Sequence, residues 1–353
     1  MTSKERVLTA VAHREPDRVP INYSGNPDIT ARLIAHFGLA EGDYTGLIEA
    51  LGVDFRGVGA AYVGPPLHDE IPGRSVDIWG IRRRYIEHSS GGYWDFCDFP
   101  LREATEEQVA AWPLPSPDDF DCSGVLEGCR QNEQFAINGA AGFGDIINGN
   151  GMLRGMEQTL VDLVTDDPAG LLLADRRMAI QLEVTERILD AAQGRVDFLW
   201  LGEDLGTQIA PIISLATFRK HIRPRYQPFC DLARAHGLFV MMHTCGCSSW
   251  AYDDFVEMGI HVVDTLQPEA ADMSPEYLKQ RYGDRLAFHG CISTAGPLST
   301  GTAYEVVSNV RETLEVMMPG GGYCLAPTHM IQDNTPTENA VAMYEAAHTW
   351  GRY

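Results

Sequence analysis

His243, Cys245 and Cys324 carry the side chains of this sequence best suited to metal chemistry. The first two stand one residue apart in His243-Thr244-Cys245, and the third follows far downstream, after Gly320-Gly321-Gly322. One imidazole and two thiols from separate segments make three protein ligands. A catalytic zinc ion keeps that number when its fourth position is left to water or substrate. A zinc finger instead pairs its ligands closely, two by two. Each residue taken singly reads more readily as packing, because cysteine behaves as a small buried hydrophobe. Placement favours chemistry. Leu238–Met242 is an apolar run of strand type that ends at His243, and Gly322–Ala326 is a second such run that contains Cys324.

Other candidates cluster at comparable positions. Glu203 and Asp204 follow the apolar run Asp197–Gly202 and are the acid–base candidates. A carboxylate beside an open metal position takes a thiol proton or protonates a leaving alkoxide. Two acids after a strand also serve as helix caps, which is the competing reading. Gln208 and His289 are candidate substrate contacts, His289 through a hydrogen bond to a ligand or substrate, against the alternative of a packed histidine. Asp264 ends a predicted strand and could orient His243. Cys247 and Cys291 compete as metal ligands. The run Gly320–Gly322 lacks the lysine and serine of a phosphate loop and reads as a tight turn. Cys97, Cys122, Cys129 and Cys230 show no partner spacing.

These residues need a scaffold, and the pattern supplies one. Short apolar runs alternate with helical stretches such as Pro168–Ala192, Leu215–His236 and Thr302–Met317, as in parallel α/β folds. Eight runs read as strands: Arg18–Tyr23, Val53–Val58, Phe135–Gly139, Asp197–Gly202, Leu238–His243, His261–Asp264, Leu286–Gly290 and Gly322–Ala326. The expected fold is a (β/α)8 TIM barrel, whose active site lies at the carboxyl ends of its strands. The candidate side chains fall at those ends. The third run leads into Ala140-Ala141-Gly142-Phe143-Gly144. Residues 60–134, between the second and third strands, are too long for an ordinary crossover. They read as an antiparallel insert around Asp77-Ile78-Trp79-Gly80, Arg82–Glu87 and Tyr93–Phe96, turning at Ser89–Gly92. A stiff proline-rich connector, Trp112–Pro117, follows. The whole chain, 1–353, is expected to form a single domain decorated by that insert.

Composition narrows the function. The chain has 353 residues, 44% of them hydrophobic, and a net charge of -22. A nucleic-acid backbone is excluded as a partner because phosphate binding needs clustered Lys and Arg. No apolar run reaches membrane length, and the N-terminus reads as an amphipathic helix, not a signal peptide. Eight cysteines in such a chain read as reduced thiols or metal ligands, so a cytoplasmic location is expected. A homodimer would be ordinary.

Several segments together resemble the uroporphyrinogen decarboxylase superfamily, and within it the zinc- and cobalamin-dependent methyltransferases. Lys4–Leu8 with Glu15–Pro20 is similar to the family's opening helix and first strand. Asp77–Gly80 and Phe99–Leu101 are similar to the insert of the methyltransferase branch, and Glu203–Gln208 to the segment after strand four. His243-x-Cys245 with Cys324 matches the branch's zinc pattern, which takes only Cys245 of the pair Cys245 and Cys247. The resemblance implies a zinc-dependent methyltransferase that moves a methyl group between a small thiol or O-/N-methyl compound and the cobalt of a corrinoid carried by a partner protein. The same ligands serve either direction, by holding a thiolate nucleophile or by Lewis-acid activation. Two departures stand out. Asn22–Asp28 lacks the arginines with which true decarboxylases hold a polycarboxylate, and the strand-seven segment reads His289-Gly290-Cys291-Ile292-Ser293, without the Gly-Gly-Ile-Asp of relatives. The alternatives are a cofactor-free decarboxylase-like lyase and a non-enzymatic zinc- or corrinoid-binding protein.

Overall fold

A computed structural model describes residues 1–88, 91–142 and 144–353. Ser89 and Ser90 of the expected turn, and Phe143 after the third expected strand, lie outside the described residues. Seven strands form one parallel sheet in sequential order. They are β1 (Phe55–Val58), β2 (Ala136–Gly139), β3 (Phe198–Gly202), β4 (Phe239–Thr244), β5 (Val262–Thr265), β6 (Ala287–Ile292) and β7 (Tyr323–Pro327). With helices between successive strands, this is a TIM-like α/β fold. Among the described residues no helix is long and apolar enough to cross a membrane.

The expected first strand, Arg18–Tyr23, does not form a ladder. It makes an isolated parallel bridge, Ile21 to Leu325. Asn22 N–H donates to Leu325 O, Leu325 N–H to Pro20 O, and Asp54 N–H to Ile21 O, so the segment still links β7 to the residue before β1. The chemistry of the segment explains the missing ladder. Pro20 has no N–H, and the Ile21 N–H is taken at 2.8 Å by the Asp54 carboxylate. Asp54 is fully buried and also accepts from Arg6 at 2.7 Å and Arg18 at 2.8 Å. Asp54→Ala would leave Arg18 and the Ile21 N–H without their carboxylate and Arg6 with only that of Asp17. It is expected to cost about 3–5 kcal/mol, read as a lowered denaturant midpoint.

Alternation along the strands builds the interior in layers, since successive side chains of a strand point to opposite faces. Phe55, Ala136, Phe198, Met241, Val262, Ala287 and Cys324 form the floor. The N-terminal helix Ser3–Val11 closes it from below with Val7, Ala10 and Val11. That helix starts on a capping box between Thr2 and Glu5, which satisfies two otherwise unpaired backbone donors. Two residues further along their strands, Trp200, His243, Asp264, His289 and Ala326 line a cavity above the floor. Residues of opposite phase, such as Leu199, Val240, Val263, Phe288 and Leu325, pack outward in the main apolar core.

The long connection between β1 and β2 is antiparallel as expected, but Asp77–Gly80 is a turn and not a strand, because the Asp77 carboxylate accepts the Trp79 and Ile81 N–H groups. Ser75–Val76, Arg82–His88 and Gly91–Phe96 form a three-stranded sheet. Ala61–Tyr62 pairs with Phe120–Asp121 beside it. The long helix Pro168–Ala192 begins at an Asp167 cap with proline in its first turn, a placement proline tolerates because that N–H is unpaired anyway.

Candidate metal centre

Asp204, His243 and Cys245 offer one ligand atom each, and these atoms all lie within 4.8 Å of one another. The elements around them explain the convergence. His243 lies in register with Gly202 on one side and Asp264 on the other. Asp204 therefore leaves β3 next to where Cys245 leaves β4. The two loops are pressed together at a pair of glycines. Gly246 has a φ of +70°, and a Cβ there would lie 2.1 Å from Gly206 O, so no larger residue fits without displacing backbone. The Cys245 N–H then donates to Asp204 Oδ1 at 2.9 Å, and Asn148 Nδ2 donates to Asp204 Oδ2 at 2.8 Å.

The histidine is held by its far nitrogen. His243 Nδ1 lies 2.8 Å from Asp264 Oδ2, leaving Nε2 to face Cys245 Sγ at 3.5 Å and Asp204 Oδ1 at 3.7 Å. A carboxylate behind a ligating imidazole is the usual way to fix its tautomer and raise its basicity. Asp264 is shared. Its Oδ1 lies 2.5 Å from His289 Nδ1, and His289 Nε2 lies 3.0 Å from Asn22 Nδ2. The Tyr23 N–H donates to Asn22 Oδ1, so the Asn22 amide turns its NH2 to His289. That ring accepts at Nε2 and donates at Nδ1 to Asp264.

Electrostatics fit a cation at this spot. Burial disfavours charge on His243, yet its bonds to Asp264 and Cys245 outweigh that and hold its pKa well above the usual imidazole value. Burial alone would raise Asp204 as well, but the His243 charge and donation from Cys245 and Asn148 bring it below the ordinary carboxylate value. The proton drawn to His243 Nε2 stands where a metal would take its place among O, N and S donors. Zinc accepts all three donor types. The group opens on a cavity of about 300 Å³, lined also by Asn22, Tyr23, Trp200, His289 and Met330.

Three expected site residues lie elsewhere. Cys324 does not join His243 and Cys245. It is 1% exposed in the floor among Phe55, Ala136 and Phe198. The residue of β7 that reaches the cavity on its face is Ala326, two positions and about 6.6 Å further along the strand. Burial pushes the Cys324 thiol far up, as it also raises Cys245, so its place in the floor and not its pKa separates it from the group. Glu203 points away from the cavity. Its two oxygens accept the Ile146 and Ile147 N–H groups at 2.7 and 2.8 Å. It is therefore the carboxyl group that accepts at the N-terminus of the helix Ile146–Arg154, a capping role. Burial first, and then Asp145, raise its pKa well above the usual value. Gln208 is exposed, and its carbonyl accepts from Ala271 N–H. Of the competing thiols, Cys247 and Cys291 are buried in the main core. His289 does line the cavity.

Sequence reasoning gave Asp204 a proton-transfer role and did not count it among the candidate metal donors. It also missed Asn22, Tyr23 and Trp200 in the cavity wall. The signal available for Asp204 was phase: in two successive acids leaving a strand, only one faces the neighbouring strand end.

Fold and site together describe a parallel α/β protein with a polar mouth at the carboxyl ends of its strands. The sequence profile of the family "Uroporphyrinogen decarboxylase (URO-D)" matches residues 155–350, and the chain belongs to that family. Among solved structures it is similar to a methyltransferase from Methanosarcina mazei. That match has 18% identity and a TM-score of 0.64, and covers 99% of both chains. A 3-keto-D-glucoside 4-epimerase from E. coli overlaps 65% of this chain and 86% of its own, with 14% identity and a TM-score of 0.33. No curated protein matches.

Proposed function

We propose that this chain is a zinc-dependent methyltransferase of the uroporphyrinogen decarboxylase family. It moves a methyl group between a small thiol or O-/N-methyl compound and the cobalt of a corrinoid held by a partner protein. The observation that carries the reading is the set of three donors, Asp204, His243 and Cys245, facing one spot at the mouth of a TIM-like fold. Overall similarity to a methyltransferase along 99% of the chain supports it at the level of fold. The same reading takes Arg18–Tyr23 as the eighth, irregular strand of a (β/α)8 barrel, treats residues 1–353 as one domain, and places the protein in the cytoplasm. It replaces Cys324 by Asp204 in the ligand set.

Zinc bound there would lower the pKa of a substrate thiol, or polarise the heteroatom that carries a methyl group. The protein's own groups do the rest. Asp264 fixes the His243 ring so that Nε2 faces the metal position. Asp204 is aimed by Cys245 N–H and Asn148. His289 and Asn22 hold Asp264 from the other side. Trp200, Tyr23 and Met330 wall the cavity and keep a small substrate against the donors, where reduced water strengthens every charge interaction.

The test is elemental analysis of protein purified without chelator, wild type and Cys245→Ala, followed by a corrinoid-coupled transfer screen read by visible absorbance. The expected result is about one zinc per chain, lost in the variant together with transfer. A wild-type protein that neither holds zinc nor takes it up on titration would overturn the proposal in favour of the lyase-like alternative.

A further inference from the structure

We infer that the substrate of this cavity is an uncharged or cationic small molecule, and that anionic thiols, carboxylates and sulfonates are rejected. The inference rests on the methyltransferase reading for calling that ligand a substrate. Its physical basis is the charge of the wall. Among the described residues that line the cavity there is no Lys or Arg, while Asp204 and Asp264 both line it. A third carboxylate, Asp145, interacts electrostatically with Asp204 and His243, its own charge set against that of Arg177.

The buried guanidinium of Arg177 does not supply the missing cation. It donates to Asp145 O at 3.3 Å and to Asn150 Oδ1 at 3.2 Å and lies over the Trp79 ring, and Arg177 does not line the cavity. Nor do the imidazoles of His243 and His289 supply it: without metal, His243 is already held between Asp264 at 2.8 Å and Asp204 at 3.7 Å, and His289 has both ring nitrogens engaged, by Asn22 and Asp264.

A bound dication would not reverse the sign. The Asp204 carboxylate and the Cys245 thiolate neutralise it, and Asp264 remains as an uncompensated negative charge one residue behind. An anionic thiol would bring two further charges, its thiolate and its acidic group, into that field. Of the remaining wall, Tyr23, Trp200, Ala326, Pro327 and Met330 are apolar or aromatic, while Asn22, Ser24, Thr265 and His329 are polar. Such a wall suits a neutral body and offers aromatic faces to a cation. Substrate choice is thus made by rejecting the wrong charge as well as by fitting the right shape. This also disfavours a polycarboxylate tetrapyrrole, which would need a cationic clamp.

Three thiols on the same two-carbon frame test the inference on wild-type protein at pH 8. They are 2-aminoethanethiol, 2-mercaptoethanol and 2-mercaptoethanesulfonate. Binding is read in two ways: by ligand line broadening in NMR, with and without added metal, and by the thiolate–metal absorbance of cobalt(II)-substituted protein. The cationic and neutral thiols are expected to bind at least about tenfold tighter than the sulfonate, with or without metal. A sulfonate that binds as tightly as the neutral thiol would overturn the inference, and so would broadening of none of the three at millimolar concentration. The same ranking without any cobalt–thiolate band would uphold it while overturning thiol activation by metal, so the two failures are distinguishable.

Discussion

Asp204→Asn is expected to strip most of the zinc from this protein, whereas Cys324→Ala is expected to keep it. The two substitutions separate the candidate donor set of the structure from the one implied by family resemblance. Asp204 is one of three donors within 4.8 Å of each other, and both its oxygens already accept hydrogen bonds, from Cys245 N–H and Asn148 Nδ2. Asparagine keeps the shape, but it removes a charge and must turn its NH2 against one of those two donors. Loss of even an outer hydrogen-bond partner lowers metal affinity by about 10–100-fold, so a missing charged ligand should exceed that. Cys324 lies in an apolar floor. Its truncation should cost about 1–2 kcal/mol through a small cavity with metal content unchanged. Zinc titration against a chromophoric chelator and a denaturant melt on each variant give the four numbers needed. Loss of zinc in a folded Cys324→Ala protein would restore the His243, Cys245 and Cys324 set.

The scaffold was legible because its signals are local. Apolar runs of strand length separated by long helical stretches mark a parallel sheet, and seven of the eight expected strands stand in sequential order. The eighth failed as a ladder for a reason no periodicity carries. The Ile21 N–H is taken by the carboxylate of Asp54, a residue 33 positions away. His243 and Cys245 were visible because a ligand pair spaced i, i+2 at a strand end is itself a local pattern. The third member was not. Cys324 and Ala326 share one face of β7, and only the depth of each layer decides which of them reaches the mouth. That depth depends on the relative stagger of strands, set by packing across the whole sheet. Glu203 and Asp204 are adjacent, and which acid faces the site follows from a helix that begins far earlier, at Ile146, and claims Glu203 for its own N-terminus.

One consequence of that division of labour is that the mouth has few spare groups. Glu203 is committed to the helix, Asp264 to two imidazoles, and Asn22 to His289 and Tyr23 N–H. The candidate donors are therefore positioned by partners that have no other slack, which is the condition for a preorganised site.

Asp264→Asn is expected to weaken metal binding by about 10–100-fold although the residue touches no metal position itself. Asp264 accepts at Oδ2 from His243 Nδ1 and at Oδ1 from His289 Nδ1, at 2.8 and 2.5 Å. Asparagine can accept at only one of these positions and presents NH2 at the other. If the NH2 faces His289, that ring must move its proton to Nε2, where Asn22 already presents an NH2 held in place by Tyr23 N–H. Two donors then oppose each other in a buried setting, which costs about 1–3 kcal/mol. If the NH2 faces His243 instead, that ring takes its proton at Nε2, the nitrogen needed for the metal. Either arrangement opposes binding, the first by displacing the substituted side chain that holds His243 and the second directly. Asn22→Ala combined with Asp264→Asn discriminates between them. The double variant releases His289, so it should recover metal affinity toward wild type if the first arrangement holds and should gain nothing if the second does. The affinities by chelator competition, with histidine ring protonation states from nitrogen-15 NMR in the zinc-free protein, decide the outcome. Wild-type affinity in Asp264→Asn would show that His243 needs no carboxylate behind it.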